Sequence, residues 1–127
     1  MSRMEREAVI TLCKQMLLTK KMDLLNRLKS HQNDFLERES TAKGDEGDQS
    51  ASVITEHQLF VSSRILRQQL LEVESALGRI EKNAYGICEE TEEEIEADRL
   101  LAIPWTRLSL EGAEIRESLS FQKRTSP

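Results

Sequence analysis

The sequence has few aromatic residues, few prolines and no long apolar run. Aromatic side chains make up 4% of the 127 residues, and the chain contains 2 prolines and 5 glycines. So few rings leave little to fill a thick globular core, and the scarcity of helix-breaking residues favours extended helices. No apolar stretch approaches the roughly 20 residues of a spanning helix, and the N-terminus lacks a signal-peptide core. We therefore expect a cytoplasmic protein that does not contact the membrane.

Cysteine is also scarce, and the charge balance is negative. Cys13 and Cys88 are too few for the disulfide framework of a small secreted domain; a redox link between them is an open alternative that we do not expect. The formal net charge of -5 argues against wholesale binding to nucleic acid. The chain has no phosphate-cradling glycine loop and no cysteine placed with a histidine base, so it is not predicted to be an enzyme.

Two long segments carry the apolar spacing of helices that pair. Neither glycine nor proline occurs from Glu5 to Arg38, and a polar stretch with two glycines at 40–48 separates the segments. The first repeat consists of Ile10, Leu17, Leu24 and His31, with Leu28 and Phe35 in the complementary register; the second consists of Leu59, Ser63, Leu66, Leu70, Val73, Leu77, Ile80 and Ala84. Such heptads predict an antiparallel coiled-coil hairpin. Its first helix covers about 5–39, its tip 40–48 and its second helix about 48–83, with Asp48 as a candidate cap.

The remainder of the chain has a different character. Residues 83–88 predict a helix stop and a turn, and Pro104 ends a short apolar segment that a final helix follows. We therefore predict an all-α protein with a long antiparallel coiled-coil hairpin at 1–84, then a small C-terminal globular knuckle and a C-terminal helix at 85–127. An alternative role for the acidic residues 89–98 is binding of a hard cation such as Ca²⁺, but they lack the glycine-centred alternation of an EF-hand loop.

The motif Gly78-Arg-Ile-Glu-Lys-Asn-Ala-Tyr-Gly-Ile-Cys88, followed by Ile95, Arg99-Leu100, Ala102 and Pro104, resembles the C-terminal signature of the DksA/TraR family. The Gly-Asp-Glu-Gly-Asp turn lies where this family carries its D-x-x-D-x-A hairpin tip. Asp45 and Asp48 match the two tip aspartates, and Ser50 takes the place of the alanine. The resemblance implies a monomeric regulator that inserts its tip into the secondary channel of bacterial core RNA polymerase. It would modulate initiation without sequence-specific DNA binding.

Both the aspartates and the hairpin also have plainer interpretations. Carboxylates at i and i+3 near a helix start lie on one side, where they could contact basic enzyme groups or bound metal ions. Alternatively, Asp48 simply caps the second helix and Asp45 is solvated. The hairpin as a whole could instead serve as a generic adaptor or chaperone-like interaction protein, because a fold does not fix a function.

The family's zinc positions are altered in this sequence. The family pattern is C-x-x-C, a spacer and a second C-x-x-C, which together hold one tetrahedral zinc ion. The matching positions here are Cys88, Thr91, Ser109 and Gly112. Because only Cys88 is a thiolate donor, we predict a degenerate zinc finger with no metal and no cofactor. Apolar packing against the final helix is expected to replace the zinc ion, through Ile87, Ile95, Leu100, Ile103 and Trp105.

The resemblance also bears on the response to guanosine tetraphosphate. Family members that respond to this nucleotide use basic residues along the second helix and beside the last zinc position. The matching residues here are Gln68, Glu72 and Ala113, none of which is basic. Neutral and acidic side chains bind polyphosphate poorly, so weak or absent synergy is predicted.

Overall fold

Four helices form the described part of the chain. The structure is a computed structural model that describes residues 2–41 and 46–125, with side-chain surroundings for 2–38 and 53–123. The helices are α1 (Arg3–Thr41), α2 (Glu46–Glu81), α3 (Ala97–Ala102) and α4 (Leu110–Thr125). Within the described residues, β-pairing is confined to one isolated bridge between Ile87 and Glu94. The predicted fold class, all-α with a helical hairpin, is confirmed.

A reciprocal pair of hydrogen bonds starts α1. The Glu5 N–H donates to Ser2 Oγ at 3.1 Å, and the Ser2 N–H donates to Glu5 Oε2 at 3.3 Å. This capping box satisfies backbone donors that the first turn of a helix leaves unpaired. The 39 residues of α1 then contain neither glycine nor proline, so nothing in its sequence interrupts the helix.

The end of α2 is set by Asn83. Its φ of 58° lies in the left-handed region. The Ala84 N–H donates to the Arg79 carbonyl at 2.8 Å, and the Asn83 N–H donates to the Ile80 carbonyl at 3.1 Å. These two bonds form a Schellman motif, in which asparagine is the usual substitute for glycine. The predicted helix stop after Ile80 therefore has a local chemical cause.

The helix bounds change the role expected of Asp48. Since α2 begins at Glu46, Asp48 is the third residue of the helix and does not cap it. The prediction of an Asp48 cap is therefore wrong. Asp45, one residue before the helix, lies outside the described residues.

The domain boundary between 84 and 85 stays a prediction.

The chain divides into two units. The knuckle unit combines Met1–Thr19 with Val73–Pro127, and the arm unit is Lys20–Glu72. In the knuckle unit the buried apolar residues are Cys13, Leu17, Val73, Ala76, Tyr85, Cys88, Ile95 and Leu100; in the arm unit they are Leu24 and Leu66, with the buried polar Ser63. Most of these arm and α2 positions belong to the predicted heptads. Among the described helices, none combines the length and apolar character needed to cross a bilayer.

Candidate functional site

The predicted site residues that the structure describes with their side chains lie in the knuckle, residues 85–109, and at the start of α4. A tight turn presents Cys88: its N–H donates to the Glu93 carbonyl at 2.8 Å, and its carbonyl accepts from the Glu92 N–H at 2.9 Å. Glu92 has a φ of 61°, in the left-handed region. The turn therefore tolerates a strained backbone conformation beside the buried thiol.

Ser109 has two roles at the start of α4. Its Oγ accepts a hydrogen bond from the Gly112 N–H at 3.0 Å, and it also donates to Cys88 Sγ at 3.4 Å. The first bond is that of an N-cap serine, which satisfies a free backbone donor in the first turn. The second ties the helix start to the turn that carries Cys88. Ser109 is 4% exposed and Cys88 is 1% exposed, so this link is buried.

Gly112 allows a close approach between α4 and the cysteine. A Cβ atom at this position would lie 2.4 Å from Cys88 Sγ and 3.3 Å from Ser109 Oγ. Any larger side chain would therefore require the sulfur to move. Thr91 also hydrogen-bonds to Cys88. The structure thus brings all four predicted positions together around one sulfur atom.

The surroundings of Cys88 favour the thiolate. Burial raises the pKa of the thiol, but hydrogen bonds from the hydroxyls and backbones of Ser109 and Thr91 outweigh burial and lower the pKa to about 6. Donors directed at a sulfur atom stabilise its negative charge much as they stabilise a carboxylate. Serine and threonine therefore surround this sulfur with hydrogen-bond donors at positions where the family carries metal ligands.

Ion pairs join the two sides of the knuckle. Arg107 Nη1 lies 3.0 Å from Glu89 Oε1, and Arg116 lies 3.4 Å from Glu89 Oε2 and 3.0 Å from Glu90 Oε2. Burial raises the pKa of Glu89, but the hydrogen bonds and charges of Arg107 and Arg116 give it a pKa below its usual range. The partners are partly exposed, so solvent screens each pair. Together they connect the Cys88 turn to the segment before α4 and to α4 itself.

Arginine side chains also hold the backbone of the knuckle. Arg6 donates to the carbonyls of Ile95 at 2.7 Å and of Gly86 at 2.8 Å. Arg79 donates to the Trp105 carbonyl at 3.2 Å, and Arg99 donates to the Leu108 carbonyl at 2.8 Å. Irregular backbone leaves carbonyls without ladder partners, and the guanidinium fork can supply several donors at once. Periodicity in the sequence gave no indication of these residues.

Tyr85 joins the same core. Its hydroxyl donates to the Pro104 carbonyl at 2.7 Å. Burial raises the pKa of Tyr85 above its ordinary range, and the neighbouring Cys13 raises it further. Cys13 in turn donates to the Leu100 carbonyl at 3.5 Å, and both cysteines are free and buried. The tyrosine therefore stays neutral and acts as a hydrogen-bond donor.

The other predicted residues have mixed outcomes. Ile87 is 45% exposed, so it contributes little to the buried core, and its predicted packing against α4 is not tested. Ile95 and Leu100 are buried, but their predicted contact with α4 is not tested. For Asp48 and Ser50 the structure describes only their place in α2, and Asp45 lies outside the described residues. The polymerase-active tip therefore stays a prediction.

The acidic segment does not form a cation site in the part of the chain that the structure describes. Among those residues, no cluster of three or more His, Cys, Asp or Glu side chains is placed to hold a metal ion. Glu89 and Glu90 instead pair with arginines. The alternative of a Ca²⁺ site in residues 89–98 thus has no support from the geometry.

Comparison with known proteins relates the chain to transcription factors. Residues 83–117 match the family model described as prokaryotic dksA/traR C4-type zinc finger. Over 104 residues the chain is 41% identical to an uncharacterized protein of Aquifex aeolicus, covering 80% of this chain and 72% of that protein. Over 105 residues it is 33% identical to the RNA polymerase-binding transcription factor DksA of Caulobacter vibrioides, covering 82% of this chain and 72% of that factor.

A shorter match and a solved structure extend this comparison. General stress protein 16O of Bacillus subtilis is 39% identical over 54 residues, which are 42% of this chain and 33% of that protein. The structure of transcription factor DksA2 from Pseudomonas aeruginosa superposes with a TM-score of 0.82 at 25% sequence identity, covering 90% of this chain and 87% of that one. The likeness in fold therefore extends well beyond the knuckle.

The family match corrects the prediction about zinc. The sequence led us to predict no zinc. That prediction is wrong for the family, because the model that matches residues 83–117 describes a C4-type zinc finger. The donor set of this chain differs from four cysteines: of the four positions only Cys88 offers a thiolate, and Gly112 has no side chain beside its sulfur. The residues at these positions do not fit a four-thiolate site.

Proposed function

The chain belongs to the DksA/TraR family, and from this premise we propose that it binds bacterial RNA polymerase and regulates transcription initiation. The observation that carries the proposal is the 33% identity to a DksA across 72% of that factor's length. The structural match to DksA2 over 90% of the chain also supports it. In this proposal the chain acts as a binding factor without catalysis, as a monomer in the cytoplasm, where its partner is found.

We further propose that the tip of the hairpin enters the secondary channel of the core enzyme. Asp45 and Asp48 are the acting carboxylates there, and Ser50 takes the position of the family's alanine. Two carboxylates near the start of α2 carry negative charge that can attract basic groups or perturb bound cations near a catalytic centre. Such an effect needs no base contacts, so we expect no sequence-specific binding to DNA.

A two-part experiment tests this proposal. The purified protein is first mixed with core RNA polymerase, and co-purification is measured. Transcription from a panel of promoters is then compared between the wild type and the double variant Asp45→Asn with Asp48→Asn. We expect the variant to co-purify as well as the wild type but to lose its effect on transcription, because only the tip charges are removed.

A matched control separates tip chemistry from overall charge. Asp34→Asn removes one exposed carboxylate from α1 outside the tip and should leave both binding and transcription unchanged. If the wild type does not bind polymerase, the proposal is wrong and the adaptor alternative gains support. Equal transcriptional effects of the wild type and the double tip variant would likewise contradict the role of the tip.

The nucleotide response gives a second measurement. Because Gln68, Glu72 and Ala113 offer no positive charge, guanosine tetraphosphate should add little to the effect of the wild type. A large increase in the effect on adding the nucleotide would contradict this part of the proposal.

A further inference from the structure

A polar pair lies within the apolar pairing of the arm unit. His31 Nδ1 and Ser63 Oγ are 3.2 Å apart, which is hydrogen-bond distance across α1 and α2. Both residues occupy heptad positions whose neighbours in the repeat are mostly aliphatic: Leu24 precedes His31 by one heptad, and Leu70 follows Ser63 by one heptad. Ser63 is only 5% exposed. The arm thus places a buried hydroxyl at a position that a leucine would normally fill.

Such a pair favours one alignment of the helices over others. A buried hydroxyl without a partner is unfavourable, whereas apolar layers can be exchanged for one another at little cost. In coiled coils, a polar residue at one core position is known to specify register at some expense of stability. The serine hydroxyl can donate to the imidazole nitrogen or accept from it, so the contact satisfies the buried hydroxyl.

The heptad positions show what a slip would cost. In an antiparallel pair, a shift of one heptad places Ser63 level with Leu24 in one direction and His31 level with Leu70 in the other. In either direction, one member of the pair loses its polar partner to a leucine. Most apolar layers, by contrast, meet another apolar layer after the same shift. Within the described part of the arm, the polar pair therefore distinguishes the native register from either slipped one.

We propose that His31 and Ser63 are positioning residues that fix the register of α1 against α2 and thereby determine which residues form the tip. A relative shift of one heptad moves the midpoint between paired residues by half of that distance. The centre of the turn would therefore move by about three or four residues along the chain. Under the proposed function, such a shift would change which residues occupy the tip. The consequence for transcription rests on the proposed function; the effect on register does not.

Crosslinking between paired cysteines tests the register directly. The register in which His31 faces Ser63 places Leu28 level with Leu66, so cysteines at these two positions report the native register. Cysteines at Leu28 and Leu59, or at Leu28 and Val73, report a slip of one heptad either way. The ratio of native to slipped crosslink, formed with a short bismaleimide, is measured in full-length protein. The native Cys13 and Cys88 are both buried in the wild-type structure.

We expect the double variant His31→Leu with Ser63→Leu to lower this ratio about fivefold, as the loss of one register-specific hydrogen bond would. Ser63→Ala should lower it in the same direction without adding bulk, which covers the case in which the double variant fails to fold. Ser63→Thr retains the hydroxyl and should restore the wild-type ratio. Leu24→Val, in another buried layer, is the matched control and should leave the ratio unchanged. An unchanged ratio in Ser63→Ala and in the double variant would overturn the proposal.

A transcription assay with the same variants separates the two proposals. The double leucine variant should bind polymerase like the wild type but lose most of its effect, and Ser63→Thr should keep it. If the wild type itself has no effect on transcription, the proposed function fails while the crosslink ratio still decides the role of the pair. If the ratio falls but transcription is unaffected, the inference that register places the tip is wrong.

Discussion

Different kinds of interaction stabilise the inside of the arm unit and the inside of the knuckle unit. In the arm, the buried residues repeat along α1 and α2 with helical spacing, and His31 with Ser63 supplies a polar contact across the helices. In the knuckle, short irregular segments depend on arginine side chains that donate to backbone carbonyls and on ion pairs. A regular helix satisfies its own backbone, whereas a turn must recruit side chains to do so. The knuckle therefore depends on single residues more than the arm does.

The largest expected effect is the loss of a buried side chain from the knuckle. Leu100 is fully buried, and Leu100→Ala should lower the free energy of unfolding by about 2–5 kcal/mol, because it removes apolar contacts and leaves a cavity. Urea denaturation followed by circular dichroism measures this. Ile87→Ala, at a residue that is 45% exposed, is the control and should cost far less. Equal losses in the two variants would mean that the knuckle has no packed core.

The next largest effect is the loss of stability when an arginine is removed, which should differ between the two units. Arg6→Ala removes both bonds to the Gly86 and Ile95 carbonyls and should cost about 2–3 kcal/mol, since buried acceptors lose charged donors. The matched change in the arm is Arg64→Ala, at an exposed position, where we expect almost no change in the unfolding midpoint. Comparable losses from both substitutions would remove the contrast between the units.

A smaller effect concerns Tyr85 and pH. Tyr85→Phe removes the bond to the Pro104 carbonyl and should cost about 1 kcal/mol near neutral pH. Because the folded pKa of Tyr85 is raised above its unfolded value, near 10, the wild type should keep the tyrosine's contribution below that pH and lose it as pH rises further. The difference in stability between wild type and variant should therefore shrink above about pH 10. A difference that stays constant from pH 8 to 11 would show that the tyrosine is not buried as described.

The smallest effect is expected from the exposed ion pairs. Arg116→Ala breaks the contacts to Glu89 and Glu90, and it should lower the melting temperature less than Tyr85→Phe does. Salt should weaken the same pairs in the wild type, so the two proteins should become equally stable in 1 M sodium chloride, where screening acts over about 3 Å. Arg3→Ala, which removes a more exposed pair with Glu7, is the control. A loss for Arg116→Ala that persists in salt would mean that its role is packing and not charge.

The arm could be anticipated from the sequence because a heptad repeat predicts helices and their pairing together. Leu24, Ser63 and Leu66 all lie in the repeats, and all three are buried. The end of α2 was also predictable in kind, since asparagine favours the left-handed conformation that stops a helix. Asp48 was misassigned as a cap because the polar stretch gave no exact start for α2, which begins two residues earlier.

The knuckle was predictable only through spacing. The family pattern placed Cys88, Thr91, Ser109 and Gly112 near one another, and they do meet around one sulfur. Their chemistry was missed, although a serine directly before a helix is a recognised cap signal. The contacts of Arg6 join residues 80 and 89 positions apart, and neither periodicity nor composition indicates such a long-range bond. The number of cysteines in this chain alone could not show that the matched family is a zinc-finger family.

The bond between Arg6 and Ile95 has a consequence for synthesis on the ribosome. Arg6 is made before its two acceptor carbonyls, which follow 80 and 89 residues later. At the usual elongation rate of about 5–20 residues per second, this delay is roughly 4–18 s. The helical turn that carries Arg6 must therefore stay available until the segment that carries Gly86 and Ile95 has also been made.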